Sequence, residues 1–283
     1  MNITSLQTLI TIVETGSLVR ASEKLNVTQS TVTARLKTLE LELGQVLLVR
    51  QKSGVSLTPS GTKMLRYARV MTGLWRQAQR EAGLPSGLKS VCTLGCQHEL
   101  WQGLGKELFY TIDEEHPEMA LTLHQGNDVE LEEWLAEGMV DIVLTLAPIS
   151  KRNQTIYILP EEEIALYSDR AETPIKEDPS YIYVDYGEDY RRFHAEAYFD
   201  AGVGRVNFAS ATCALEYLIE RGGSAYLPRH ITKPYVSSGC LHKLADAPEF
   251  LRSRYLVGND LVTENWPWFQ SLIANLQQKG HPQ

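Results

Sequence analysis

The sequence predicts an α/β protein in which a small helical head with a β-hairpin is joined by one long helix to a larger body of two α/β lobes. Three observations carry this prediction. Apolar residues in the first 44 positions recur at helical spacing and are punctuated by Gly16, Asn26 and Gly44. A segment opening at Thr58-Pro59 keeps helical spacing to about Ala82. Beyond Gly83-Leu84-Pro85-Ser86-Gly87, which has the composition of a hinge, apolar runs alternate with helical patterns as in βα units.

Each element has its own justification. Leu6, Leu9, Ile10 and Val13 form the inner stripe of a first helix, and Gly16 supplies the positive φ that ends it. Ser17 caps a second helix of about two turns with Leu18, Ala21 and Leu25 inward. Thr28 caps a third, with Val27 and Val32 placed as a hydrophobic staple and Leu36, Leu39 and Leu43 inward until Gly44. Val46 to Arg50 and Val55 to Thr58 read as two short strands around the basic tip Gln51-Lys52-Ser53-Gly54, which makes a wing. The long helix after Pro59 would extend roughly 36 Å. Met64, Ala68, Met71, Trp75 and Ala78 recur along it as a heptad-like seam that a lone helix would leave wet, which implies a partner helix and dimerisation.

In the body, strands are expected at Val91 to Gly95, Met119 to His124 and Asp141 to Ala147, with helices at Glu99 to Glu115 and Val129 to Met139. A second set places strands near Ile164 to Tyr167, Tyr181 to Asp185, Val206 to Ala209 and Ser224 to Leu227. Its helices fall near Tyr190 to Ala201 and Ala211 to Arg221, and an amphipathic helix near Glu264 to Gln277 closes the chain. The expected boundaries are 1–58 for the head, 59–87 for the linker helix and hinge, and 88–283 for the body. Its first lobe is 88–160 with 264–283, and its second is 161–263.

Composition excludes several classes. The 283 residues are 43% hydrophobic and 22% charged, ordinary for a soluble protein, and the longest apolar run, Val140 to Ile149, is too short to cross a bilayer. The first fifteen residues lack the features of a secretory signal, so a cytoplasmic location is expected. Four cysteines without a CxxC pair suggest structural thiols, and no metal or cofactor is expected. The net charge of −8 conceals an asymmetry: residues 1–82 hold 11 Lys and Arg against 5 Asp and Glu, whereas the remainder holds 16 against 30. Only the basic head can attract phosphate.

A helix-turn-helix needs a short second helix, a tight turn and a third helix whose outer face is small and polar enough to enter the major groove. Thr28, Gln29, Ser30, Thr33, Arg35 and Lys37 meet that need, with Arg50 and Lys52 of the wing beside them. Gln can bond adenine through two hydrogen bonds, hydroxyls reach bases or phosphates, and Arg or Lys neutralises phosphate or reads guanine. An ordinary solvated helix face is the competing reading, and the wing weighs against it.

Leu9 through Gly61 resembles the N-terminal domain of the LysR family of transcription factors. The match runs in register through Gly16-Ser17, Ala21, Leu25, Gln29-Ser30, Leu36, Leu39-Glu40, Gly44, Leu47, Arg50 and Leu57-Thr58-Pro59-Ser60-Gly61. The resemblance implies a winged helix-turn-helix that binds double-stranded promoter DNA, a long helix that pairs antiparallel in a homodimer, and dimers that pair into tetramers. Leu48 stands where the family usually has Phe, and Ala34 where it often has a larger polar residue.

The body is similar to the family's two-lobed, periplasmic-binding-protein-like effector domain. Its best matches are Gly138 with Asp141, and Gly222-Gly223 before Ala225-Tyr226-Leu227-Pro228. In such a fold a small-molecule effector lies in the crevice at strand ends, which Cys96, Gln97, His98, Glu99, Thr145, Tyr186, Ser210 and Thr212 are expected to line. Family members often place Ser or Thr after the first strand to bind a carboxylate; Gln97-His98-Glu99 stands here instead, and Glu99 would repel an anion.

Other readings weaken on inspection. Cys92 and Cys96 are four apart, a spacing that would suit a redox-responsive thiol pair on a helix but diverges on a strand. His98, His116 and His124 with Cys96 offer no helical metal-ligand spacing. An enzyme with a crevice between two lobes is the alternative of a different class, yet no nucleophile elbow, phosphate loop or dinucleotide fingerprint appears, so catalysis is not expected.

Overall fold

Asn2, Ser17 and Thr28 each turn a side-chain oxygen onto a backbone N–H of the turn that follows, fixing the starts of α1 (Ile3–Thr15), α2 (Leu18–Lys24) and α3 (Gln29–Leu43). These features belong to a computed structural model that describes residues 2–51, 54–149, 151–176, 178–198 and 204–278. Strands β1 (Leu48–Gln51) and β2 (Gly54–Leu57) pair antiparallel, with Leu48 opposite Leu57 and Gln51 opposite Gly54. Thr58 then accepts from the Gly61 N–H at 2.9 Å and caps α4 (Pro59–Ala82). A Cβ at Gly61 would lie 2.0 Å from the Leu47 carbonyl oxygen, so only glycine lets α4 start this close to the chain entering the wing.

The chain continues through β3 (Ser90–Gln97), a 3₁₀ turn (His98–Leu100), a wide turn (Trp101–Gly105), α5 (Lys106–Glu115), β4 (Met119–Gly126), α6 (Asp128–Ala136) and β5 (Ile142–Thr145). Then come β6 (Gln154–Ser168), β7 (Tyr181–Val184), α7 (Glu188–Ala197), β8 (Val206–Phe208), α8 (Ala211–Arg221), β9 (Ser224–Pro228) and α9 (Arg229–Ser237). The chain ends in β10 (His242–Lys243), β11 (Phe250–Asn259), α10 (Asp260–Thr263) and α11 (Phe269–Gln278). These elements divide into two compact units.

The first unit holds the head, α4, most of β3 and β4, and α6. Its main core joins Leu6, Leu9 and Ile12 of α1, Ala21 of α2, Val32, Leu36 and Leu39 of α3, and Met64 and Ala68 of α4. Met64 and Ala68 are therefore buried inside their own chain, and Met71 packs partly against the same core. This corrects the expected seam: among its five residues only Trp75 and Ala78 stay exposed, joined on the outside of α4 by Tyr67 and Leu74. Leu43 is also turned outward rather than inward.

Further along, α4 docks on the segment after α6. Gly73 and Gly138 meet backbone to backbone, and a Cβ on Gly138 would fall 2.7 Å from the Gly73 Cα. Arg76 donates to the Glu137 carbonyl at 2.8 Å. Arg80 donates to the carbonyls of Gly138 and Met139 at 3.2 and 3.1 Å, and to Asp141 Oδ1 at 3.0 Å. The other Asp141 oxygen accepts the Thr93 N–H at 2.8 Å.

The second unit is built on strands in the order β5-β11-β6-β9-β7-β8, with β10 also on β6. Within it β11, β6 and β9 pair antiparallel, while β7 lies parallel to both β8 and β9. Alternation along β6 and β9 sends residues to two cores. Ala165, Tyr167, Ala225 and Leu227 meet Ala214, Leu215 and Leu218 of α8 on one face. Ile164, Leu166 and Tyr226 meet Tyr190 and Tyr198 on the other.

Three expectations for the body change. The helix expected from Glu99 begins only at Lys106, because the chain first makes two irregular turns around Gly103. The strand near Ile164 is the end of a fifteen-residue β6. The closing helix starts at Phe269, after Pro267, and α9 and β11 were not anticipated.

Candidate DNA-binding and effector sites

On α3, burial of Val32, Leu36 and Leu39 against the head core leaves the opposite face outward. Gln29, Ser30 and Lys37 are exposed on that side, while Thr33 and Arg35 are half-buried. The Thr28 hydroxyl accepts the Thr31 N–H at 3.2 Å and lies 2.8 Å from the Ser30 hydroxyl, so Thr28 positions the helix start as well as presenting a polar group. Glu40 faces elsewhere: its Oε1 accepts the N–H groups of Leu47 and Leu48 at 2.8 and 3.4 Å, tying α3 to the wing. The wing is further held by a hydrogen bond from the Val55 N–H to the Gly16 carbonyl at 3.1 Å. Lys52 and the side chain of Arg50 lie outside the described residues.

In the second unit the expected crevice residues separate into three groups. Gln97 and Thr145 brace one loop: Gln97 Oε1 accepts the Leu146 N–H at 2.8 Å, and Thr145 Oγ1 donates to Asp128 at 2.9 Å and accepts the Ala147 N–H at 3.2 Å. Ser210 caps α8 through the Cys213 N–H at 3.4 Å, with half-buried Thr212 next to it, and among the described residues no hydrogen bond joins these two to the rest. Glu99 and Tyr186 meet at a residue that the sequence did not single out, Arg252.

Arg252 is buried on β11. Its Nη1 donates to Glu99 Oε2 at 2.7 Å, its Nε donates to Glu162 Oε2 at 2.9 Å, and its Nη2 also bonds Glu162. The guanidinium lies 5.1 Å from the centre of the Tyr186 ring, whose hydroxyl is anchored on the Tyr226 carbonyl at 2.8 Å. His230 Nδ1 stands 3.2 Å from Glu162 Oε1. Burial alone would raise the Glu162 pKa, but the His230 ring and the Arg252 charge overcome it and hold the carboxyl down at about 2. The other ring nitrogen, His230 Nε2, is buried without a hydrogen-bond partner. A charged residue at an inward position of an apolar strand, as Glu162 is in β6, is the sequence signal that could have found this centre.

His98 is exposed beside Glu99, and Cys96 is buried. Burial pushes the Cys96 thiol up to about 12 and raises that of Cys92 as well, so neither has the accessible, acidified thiol that redox sensing needs.

Both parts of the chain match known proteins. Residues 3–62 match the family described as "Bacterial regulatory helix-turn-helix protein, lysR family", and residues 86–258 match "LysR substrate binding domain". The transcriptional regulator HdfR of Yersinia pestis is 26% identical over 263 residues, covering 89% of this chain and 88% of the relative. Full-length LysG of Corynebacterium glutamicum, solved with bound effector Arg, superposes with a TM-score of 0.62 at 21% identity over 100% of both chains. DarR of Vibrio fischeri, solved in complex with DNA, superposes with a TM-score of 0.54 at 17% identity over 98% of both chains. A polar-faced third helix braced by a wing, followed by a body that matches the substrate-binding family, places this chain in the LysR family of transcriptional regulators.

Proposed function

We propose that the chain is a non-enzymatic, cytoplasmic regulator that grips inverted half-sites in promoter DNA as a homodimer or a pair of dimers. The expected boundaries stand in this reading: 1–58 binds DNA, 59–87 links and dimerises, and 88–283 holds a small-molecule effector between its two α/β lobes. Effector binding then shifts the spacing or angle of the DNA-binding heads. The observation that carries the reading is the outward polar face of α3, set opposite a fully buried apolar face and flanked by the wing. Gln29, Ser30 and Thr33 face base edges from the start of that helix, whereas Arg35, Lys37, Arg50 and Lys52 neutralise phosphate. Trp75 and Ala78, with Tyr67 and Leu74, remain available on α4 for a second copy of the chain.

The test separates base reading from phosphate contact, using the full-length chain. Its preferred duplex is first selected from random oligonucleotides, and binding is then titrated at several salt concentrations. Gln29→Ala or Thr33→Ala should cost about 1–3 kcal/mol on the selected site and little on random DNA. Lys52→Ala should weaken binding to all sequences and reduce the salt slope by about one. Equal losses on selected and random DNA for all three variants refute the assignment.

A further inference from the structure

A cavity of about 410 Å³ opens where α4 meets β4 and the segment after α6, walled by Arg76, Gln79, Arg80, His124 and Met139. Its volume is within the usual range for small-molecule sites. All five residues belong to the first compact unit, and none is among those expected to line the effector crevice. Arg76, Gln79 and Arg80 stand three and four positions apart on α4 and so share one face of that helix. Among the described residues, two guanidiniums and no carboxylate line the wall. The rest of the body runs the other way, since residues 83–283 hold 16 Lys and Arg against 30 Asp and Glu.

The two arginines are not equivalent. Arg80 is spent on structure, its Nη1 donating to two carbonyls and its Nη2 to Asp141. Arg76 uses Nη1 alone, which donates to the Glu137 carbonyl at 2.8 Å and lies 3.6 Å from the Glu137 carboxylate. Among the described residues its Nε and Nη2 make no hydrogen bond, and neither does the Gln79 amide or the His124 ring, which meets Trp134 edge-on. Glu137 is a weak competitor for this arginine. Burial and the nearby Glu14 carboxylate push its pKa up against the pull of Arg76 and Arg69. An arginine anchored through one nitrogen keeps a planar edge of two N–H groups, the shape that matches a carboxylate.

We propose that this cavity is a second ligand site, for a small organic carboxylate with an apolar body. Arg76 receives the carboxylate on its Nε–Nη2 edge, Gln79 and His124 supply further donors, and the apolar part lies against Met139. The site shares no residue with the expected effector crevice and does not rest on that reading. Because α4 supplies one wall, and β4 with the segment after α6 the other, an occupant ties the long helix to the body. It adds to the Arg80 contacts that already fasten the helix there.

The experiment titrates the full-length protein calorimetrically at constant ionic strength with benzoate, hexanoate, the neutral benzamide, benzylamine and inorganic phosphate. At least one of the two carboxylates should bind with a Kd below about 10 mM, whereas benzamide and benzylamine should not. Gln79→Glu, which places an acid on the wall at an exposed position, should weaken that carboxylate at least about tenfold while leaving the melting temperature near wild type. Gln79→Lys should tighten it. Arg76→Gln should weaken it at least as much as Gln79→Glu, and amide hydrogen exchange in 72–83 and 134–141 should slow when it binds. A carboxylate indifferent to Gln79→Glu and Arg76→Gln would overturn the site; if Thr145→Val and Ser210→Ala weaken it instead, it lies in the effector crevice and that reading stands. Inorganic phosphate binding as tightly as the carboxylates would overturn the organic class. Absence of carboxylate binding up to about 10 mM would overturn the proposal by itself.

Discussion

Arg80 and Arg252 are each placed against a buried carboxylate, one in each compact unit, and their surroundings are opposite in character. Arg80 reaches from α4 to two backbone carbonyls and to Asp141, whose second oxygen takes the Thr93 N–H. One cation meets one anion, and only the Arg80 Nε is left without a partner. Arg252 reaches no carbonyl; it holds two carboxylates, with a histidine standing against one of them. The first centre is a splint that fastens the long helix to the turn after α6. The second gathers two carboxylates, a guanidinium and a histidine into one network, with the Arg254 charge attracted to Glu162 as well. An isolated pair and a shared network are thus told apart by how many side chains each guanidinium serves.

The largest effect that could break this comparison comes from removing each guanidinium. Arg252→Met leaves Glu162 buried without its cation and is expected to cost about 3–5 kcal/mol in urea denaturation. Arg80→Met is expected to cost about 2 kcal/mol, because Arg80 is 28% exposed and Asp141 escapes part of the penalty by taking a proton. Equal costs would mean that Arg254 and His230 hold Glu162 without Arg252, and the distinction would fall.

The two carboxylates also titrate in opposite directions. Burial pushes Asp141 up from 3.8 to about 6 despite Arg80 and Thr93, so between those values the folded protein holds a proton that the unfolded chain has released. Its contribution is fully present below about pH 4 and is lost as the pH rises through 6. Glu162, held at about 2 instead of 4.5, contributes above pH 4.5 and loses that contribution only as the pH falls toward 2. Asp141→Asn removes the first titration alone. From pH 4 to pH 7 the wild type should lose up to about 3 kcal/mol relative to that variant, measured by denaturation at each pH. A difference independent of pH would show that Asp141 is ionised throughout.

The head was legible because its signals are local. Thr28, Thr58 and Gly44 act on backbone groups within a few residues, and the helix expected at Ala211 to Arg221 matches α8 for the same reason, with Ser210 before it and Gly222 after it. The seam on α4 was misjudged because a heptad-like stripe looks the same whether a partner chain or the chain's own α1 covers it; Met64 and Ala68 are covered by α1. The Arg252 centre was half visible. Glu99 and Tyr186 stood out from their places after expected strands, but Arg252 meets Glu162 and Glu99 across 90 and 153 residues, and no local pattern encodes such a meeting. The strand that carries the centre was expected only from Ile164, since Pro160-Glu161-Glu162-Glu163 offers no apolar alternation.

That same run supplies the smallest expected effect and the most direct control. In β6 successive side chains point to opposite faces, so Glu162 and Glu163, adjacent in sequence, belong to different environments. Glu162 faces Arg252 and His230 in the interior. Glu163 is 21% exposed and pairs with Lys243 at 2.7 Å and Arg229 at 3.2 Å, cations that are themselves 36% and 68% exposed. Water screens such pairs, so Glu163→Gln should cost less than about 1 kcal/mol and should lose that small effect in high salt. It should also leave the cost of Arg252→Met unchanged, since Glu163 contributes nothing to the Arg252 centre. A Glu163→Gln variant that changed the cost of Arg252→Met would show that the general acidity of the body, rather than the contacts at Arg252, sets that cost.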